Sequence, residues 1–167
     1  MAERKTQTTA NTKEELNLDT KVTVRNIAGW IVGFARRDGY GGDISIVPNG
    51  SVRLSRGEII AQVQSGNRLF TGTDGKGSHA TLFIEDAPTR IEVEFESEDG
   101  KIKQDIFSDK KIKALFAENL TKFKTDFKAA ICTRAEKYAV IETIKRLKIN
   151  DFDKIRFVEE YTGYKMQ

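Results

Sequence analysis

With 167 residues, 38% of them hydrophobic and 32% charged, the chain fits one ordinary domain, or a small domain with an appendage, and can bury a real core. Its apolar stretches run only a few residues, against the ~20 a membrane helix needs, so no membrane partner is expected. A single cysteine, Cys132, excludes an intrachain disulfide framework and fits a reducing compartment, while the net charge of +3 hides a balance of −3 over residues 1–100 and +6 over residues 101–167.

Residues 1–20 are polar and rich in Thr, Lys and Glu, without an aromatic side chain or an apolar h-region. They read as a flexible arm that orders on a partner, able to form a helical turn over Asn11 to Leu18, and no secretory signal is expected.

From Lys21 to Phe107 the pattern is that of β-structure. KVTVRN places Val22 and Val24 on one face, and a second strand starts at Trp30. RRDGYGG, residues 36–42, reads as a hairpin tip because Asp-Gly accepts positive φ. DISIV follows, then the strong turn Pro48-Asn49-Gly50 and the short strand SVRL. Ser55 and Glu58 match a capping box, opening a helix with Ile59, Ile60 and Val63 inward and Gly66 just past its end. NRLFTG and ATLFIED are expected as strands on either side of a glycine-rich connection. In residues 90–107, Ile91, Val93 and Phe95 alternate with glutamates; a turn at Asp99-Gly100 would set Glu98 against Lys101 and Glu96 against Lys103. That face is expected to be paired and solvated, a Ca²⁺ or cationic-partner face being the alternative.

From Ser108 the period is helical, with no Gly or Pro until Gly163. Ile112, Leu115, Phe116, Leu120, Phe123, Phe127 and Ile131 trace one stripe, as a single helix or as two broken near Asn119. Thr133 and Glu136 form a second capping box, opening a helix with Tyr138, Ile141, Ile144 and Leu147 inward. Asn150 or Asp151 caps a last helix that Gly163 ends.

The fold expected is therefore α+β: a flexible arm (1–20), a small, mostly antiparallel β-barrel or sandwich with one inserted helix (21–107), and a C-terminal helical subdomain (108–167).

No motif carries a reaction. Gly72 and Gly77 have the separation of a phosphate-binding loop, but Lys76 stands two positions too early and an apparent strand follows. A Ser78–His79–Asp74 triad fails because neighbours on a strand point to opposite faces. Cys132 reads as a small buried hydrophobe, and one Cys with one His cannot close a zinc site by themselves. No catalytic residue, cofactor or metal is expected.

PNGSVRLSRGEIIAQVQSGNRLFTGTDGKGSHATLFIED and RAEKYAVIETIKRLKINDFDKIRFVEEYTGY resemble small proteins of tailed bacteriophages and prophages, of the sort encoded among head genes. The resemblance spans about three quarters of the chain. It implies a non-enzymatic virion component assembling with capsid or portal-vertex proteins, with a homo-oligomer expected, made in the host cytoplasm. The contacts expected on that reading are the arm, the tip with Arg36, Arg37 and Tyr40, and the 70–79 loop with Asp74, Lys76 and His79. The alternative is a nucleic-acid-binding accessory protein. It would use Arg36, Arg37 and Tyr40 together with Lys110, Lys111, Lys113, Lys122, Lys124 and Lys128, which fall mostly off the apolar stripe.

Overall fold

The computed structural model describes residues 15–167; residues 1–14 of the expected arm lie outside the described residues. Residues 15–18, the end of the expected helical turn, are not helical. The segment instead lies against the start of the first helix, where Gly57 N–H donates to Leu18 O and Arg56 N–H to Thr20 O, each at 3.0 Å.

The elements in order are β1 (Lys21–Asn26), β2 (Val32–Ala35), β3 (Asp43–Ile46), β4 (Ser51–Ser55), α1 (Arg56–Gln64), α2 (Arg68–Thr71), β5 (Leu82–Ile84), α3 (Ala87–Glu92), α4 (Asp109–Phe116), α5 (Leu120–Ala130), α6 (Arg134–Leu147) and α7 (Phe152–Thr162). One antiparallel sheet has the order β4-β1-β5, and β2 pairs with β3 in a second. The class is α+β, and no closed barrel occurs among the described residues. Asn26 ties the two sheets together. It is fully buried, and its side-chain amide donates to Trp30 O, Ile46 O and Val47 O while its oxygen accepts from Ala28 N–H. A buried amide is tolerated because its hydrogen-bonding capacity is filled.

Three expectations in the β-region need correcting. NRLFTG is the short helix α2, because the Asn67 side chain accepts from Leu69 N–H and caps it. The expected hairpin over 90–107 is absent. Asp86 accepts from Thr89 N–H and, with Pro88 in the first turn, starts α3 through the segment read as a strand. Burial works to raise the Asp86 carboxyl, but donors from Arg56 and Thr89 outweigh it and hold it below its ordinary value. The turn at Asp99-Gly100 exists, with Gly100 N–H donating to Ser97 O, but it closes a loop and not a ladder; Glu96 pairs with Arg90 and Lys101 with Asp99. The β-region thus holds three helices and not one. The third correction is to the first capping box, of which half forms. Ser55 accepts from Glu58 N–H, but the Glu58 carboxylate leaves the cap for the chain at Arg37.

The helical unit follows its sequence pattern closely. The break falls at Asn119, which caps α5, and Asp151 caps α7, which ends at Gly163 in the left-handed region. Leu120 departs from the expected stripe: as the first residue of α5 it is exposed. Ile112, Phe123, Phe127, Ile131, Ile144 and Val158 are fully buried in one core, and Val24, Ile59, Phe70 and Ile84 in another. Helix α6 belongs to both. Ala135 and Ala139, at i and i+4, join the β-side core, while Val140, Ile141 and Ile144 join the helical one. The two small side chains let α6 approach the β-region closely, with Arg134 stacked over Trp30 and Tyr138 edge-on to the same indole. The helical unit is therefore packed on the β-region, and α6 carries the joint.

Candidate functional site

The glycine-rich stretch 70–79 is a set of interlocked turns placed after a helix and not before one. Helix α2 ends at Gly72, whose N–H donates to Arg68 O and whose backbone lies at φ 68°, ψ −152°. Gly77 N–H returns to Thr71 O at 2.8 Å and Thr73 N–H bonds Ser78 O at 3.0 Å. The Asp74 carboxylate accepts from Lys76 N–H at 2.7 Å and Ser78 N–H at 3.2 Å. Partial burial raises its pKa, and these donors more than reverse that, leaving it lowered. Asp74 is thus used within its own loop, and the Ser78 hydroxyl accepts from Asp105 N–H at 2.7 Å. The suspected triad does not assemble: Asp74 accepts from backbone N–H groups of its own loop, and the Ser78 hydroxyl and His79 each bond to Asp105 and not to one another.

The turns end at His79, which is not at a strand entrance but in the left-handed region at φ 57°. Few residues other than glycine stand there without being held. His79 N–H donates to Asp105 O at 2.9 Å. Its ring, 14% exposed, lies between two carboxylates: Nδ1 is 3.0 Å from both oxygens of Glu136, and Nε2 is 3.5 Å from Asp105 Oδ2. Lys111 pairs with the other Asp105 oxygen.

Glu136 is in the first turn of α6 and fully buried. Its Oε1 completes the capping box predicted from sequence, accepting from Thr133 N–H at 3.2 Å, and also accepts from Cys132 N–H at 3.3 Å. Cys132 is exposed, which corrects the buried reading. It follows the last residues of α5, and its thiol donates to Ala129 O at 3.1 Å. Burial of the sulfur, then the charges of Glu136 and Asp105, push the thiol above its ordinary pKa. A protonated thiol without a hydrogen bond to the imidazole is a poor nucleophile. The ligating atoms of His79, Cys132 and Glu136 nevertheless lie within 4.8 Å of one another.

The tip between β2 and β3 is built from its base upward. Arg36 N–H closes the hairpin on Gly42 O at 2.9 Å. Arg37 N–H donates to both oxygens of Glu58, at 2.9 and 3.1 Å, and Glu58 is fully buried on α1. Gln62 adds a bond to Glu58 at 2.7 Å and another to Ala35 O at 2.7 Å. Within the tip Asp38 accepts from Tyr40 N–H and pairs with Arg36. The outcome is an aromatic ring 89% exposed on a fixed base.

The lysines of the helical unit divide. Lys111 is bound to Asp105, and Lys122 to Glu118 and Asp126. Lys110 and Lys113 are exposed on α4. Lys124 and Lys128 of α5 lie over the Phe157 ring, and Lys137 of α6 lies over Tyr161. Phe157 and Tyr161 are themselves stacked, 6.0 Å apart and 7° from parallel. Among the described residues these three lysines have no carboxylate partner.

A separate cleft of about 520 Å³ opens between β1, α4 and α6, with Arg25, Asn26, Asn49, Asp109 and Arg146 on its walls. Its charges are mutually satisfied: Arg146 grips both oxygens of Asp109, at 2.6 and 2.9 Å, which lowers the Asp109 pKa, and Arg25 pairs with Glu85.

The sequence singled out His79 but neither Glu136 nor Asp105 as its partners. Glu136 was visible only as a capping residue, and Asp105 had no local signal at all. Of the expected partner-binding residues, His79 enters this cluster, Asp74 and Lys76 stay exposed on the loop, and Arg36, Arg37 and Tyr40 form the tip. No protein-family model, curated protein or solved structure matches this chain.

Proposed function

We propose that this chain is a non-enzymatic contact protein that assembles with other proteins of a tailed-phage head or portal vertex, in the virion, as its sequence resemblance implies. The observation that supports the reading is the tip. A buried carboxylate with no cationic partner among the described residues holds the backbone at Arg37, and the loop beyond it displays Tyr40 and Arg37 to solvent. Tyrosine and arginine on a pre-organised loop are the side chains that anchor protein interfaces, since little entropy is left to lose on docking. The protonated, exposed thiol and the carboxylate-flanked imidazole supply no activated nucleophile, which also favours binding over catalysis.

Mass spectrometry of purified particles is expected to find the wild-type chain at a fixed copy number. The Arg37→Ala/Tyr40→Ala double variant should be incorporated at least tenfold less, a loss of about 1.4 kcal/mol or more in docking. A wild-type chain that is absent from particles and monomeric in solution overturns the proposal.

A second reading has its own observation, the three lysines over the Phe157–Tyr161 stack. Ammonium groups beside aromatic rings are the components of single-strand nucleic-acid binding. On that reading a labelled single-stranded oligonucleotide binds, and the Lys124→Gln/Lys128→Gln/Lys137→Gln variant flattens the salt dependence by about two units of log–log slope. Equal slopes for wild type and variant remove it.

A further inference from the structure

The cluster around His79 has the form of a metal site. We propose that His79 Nδ1, the Glu136 carboxylate and Cys132 Sγ bind one divalent transition-metal ion, Zn²⁺ by ligand type, leaving a fourth position open at the surface. The three donors come from two distant parts of the chain and lie within 4.8 Å of one another. Imidazole nitrogen, carboxylate oxygen and thiolate sulfur are the three donor types Zn²⁺ accepts, and three protein ligands with one open position is a recurring arrangement for it.

The surroundings of these donors point the same way. Glu136 Oε1 is occupied by the backbone N–H groups of Cys132 and Thr133. Oε2 has no donor among the described residues except the His79 ring, so it is available as a single ligand oxygen. On the far side of the ring, Asp105 stands 3.5 Å from Nε2. A carboxylate facing the second nitrogen favours the tautomer with its proton there, which leaves the first nitrogen's lone pair for a metal. Asp105 is itself held by Lys111 through its side chain and by Ser78 and His79 through its backbone. The left-handed backbone at His79 is what aims the ring at α6. Without metal, Nδ1 and the Glu136 carboxylate are joined at 3.0 Å. With metal, the cation stands between them, and the thiol proton and any proton on Nδ1 are released to water. The exposed thiol has room to turn from Ala129 O to the ion.

The full chain, stripped with chelator, is titrated with Zn²⁺ and with Co²⁺ alone. Expected are one ion per chain, micromolar or tighter, and with Co²⁺ the near-ultraviolet band of thiolate-to-metal charge transfer. Cys132→Ser should abolish that band and weaken Zn²⁺ binding at least tenfold. Its side chain is exposed, so its fold should stay intact by circular dichroism. Asp105→Asn, which touches no metal, should weaken binding about 10- to 100-fold with the band retained. Failure to bind stoichiometrically at micromolar Zn²⁺ overturns the site. So does binding without the charge-transfer band, or binding that is unchanged in Cys132→Ser.

Discussion

Replacing Gly72 with alanine is expected to destabilise the protein by about 3–5 kcal/mol, while the same change at Gly75, three residues on, should cost only about 1 kcal/mol. Both glycines have positive φ, 68° and 76°. The difference lies in what a methyl group would meet. At Gly72 a Cβ would sit 2.0 Å from the Ser78 carbonyl oxygen and 3.2 Å from Ala80 N, both backbone atoms tied into the turns that carry His79. Its ψ of −152° adds a conformation that is essentially confined to glycine. At Gly75 nothing lies within 4 Å of the added carbon. Urea unfolding of the two variants reads the contrast. A Gly72→Ala protein as stable as Gly75→Ala would show that the loop opens freely and does not hold His79 in place.

The helical unit was legible because its signals are local. Ser108, Asn119, Thr133 and Asp151 each accept from a backbone N–H three residues on, and each is followed by an apolar stripe of helical period. The RRDGYGG tip and the Pro48-Asn49-Gly50 turn were legible for the same reason. What misled was alternation. Ile91, Val93 and Phe95 repeat every two residues, and only Phe95 is fully buried. A cap two residues before Pro88, held by Arg56 from thirty positions away, decided for helix. Short segments follow such tertiary partners more readily than their own pattern. The His79 cluster was out of reach for a related reason. Its members stand 57 residues apart in sequence, and Glu136 already had a sufficient local explanation as a capping residue.

That double use of Glu136 makes the second large effect measurable. Glu136→Ala removes the reciprocal half of the α6 capping box and the partner of His79 together, and is expected to cost about 3 kcal/mol, roughly 1 from the box and 2 from the bond to the imidazole. His79→Ala leaves the capping box but strips a fully buried carboxylate of the imidazole hydrogen-bonded to it, and about 3 kcal/mol is expected again. The two losses share one interaction, so the double variant should cost clearly less than their sum, with a coupling of about 1–3 kcal/mol. Denaturant unfolding in the presence of chelator isolates this pair from any bound metal. Glu136→Gln separates the two roles: its side-chain oxygen can still accept from Thr133 N–H and keep α6 capped, while the charge facing His79 is gone. It should therefore fall between wild type and Glu136→Ala. Strictly additive losses would mean that the 3.0 Å contact between the 70–79 loop and α6 contributes nothing. The joint between the β-region and the helices would then rest on packing, with Ala135, Ala139, Phe107 and the Trp30 stack among its members.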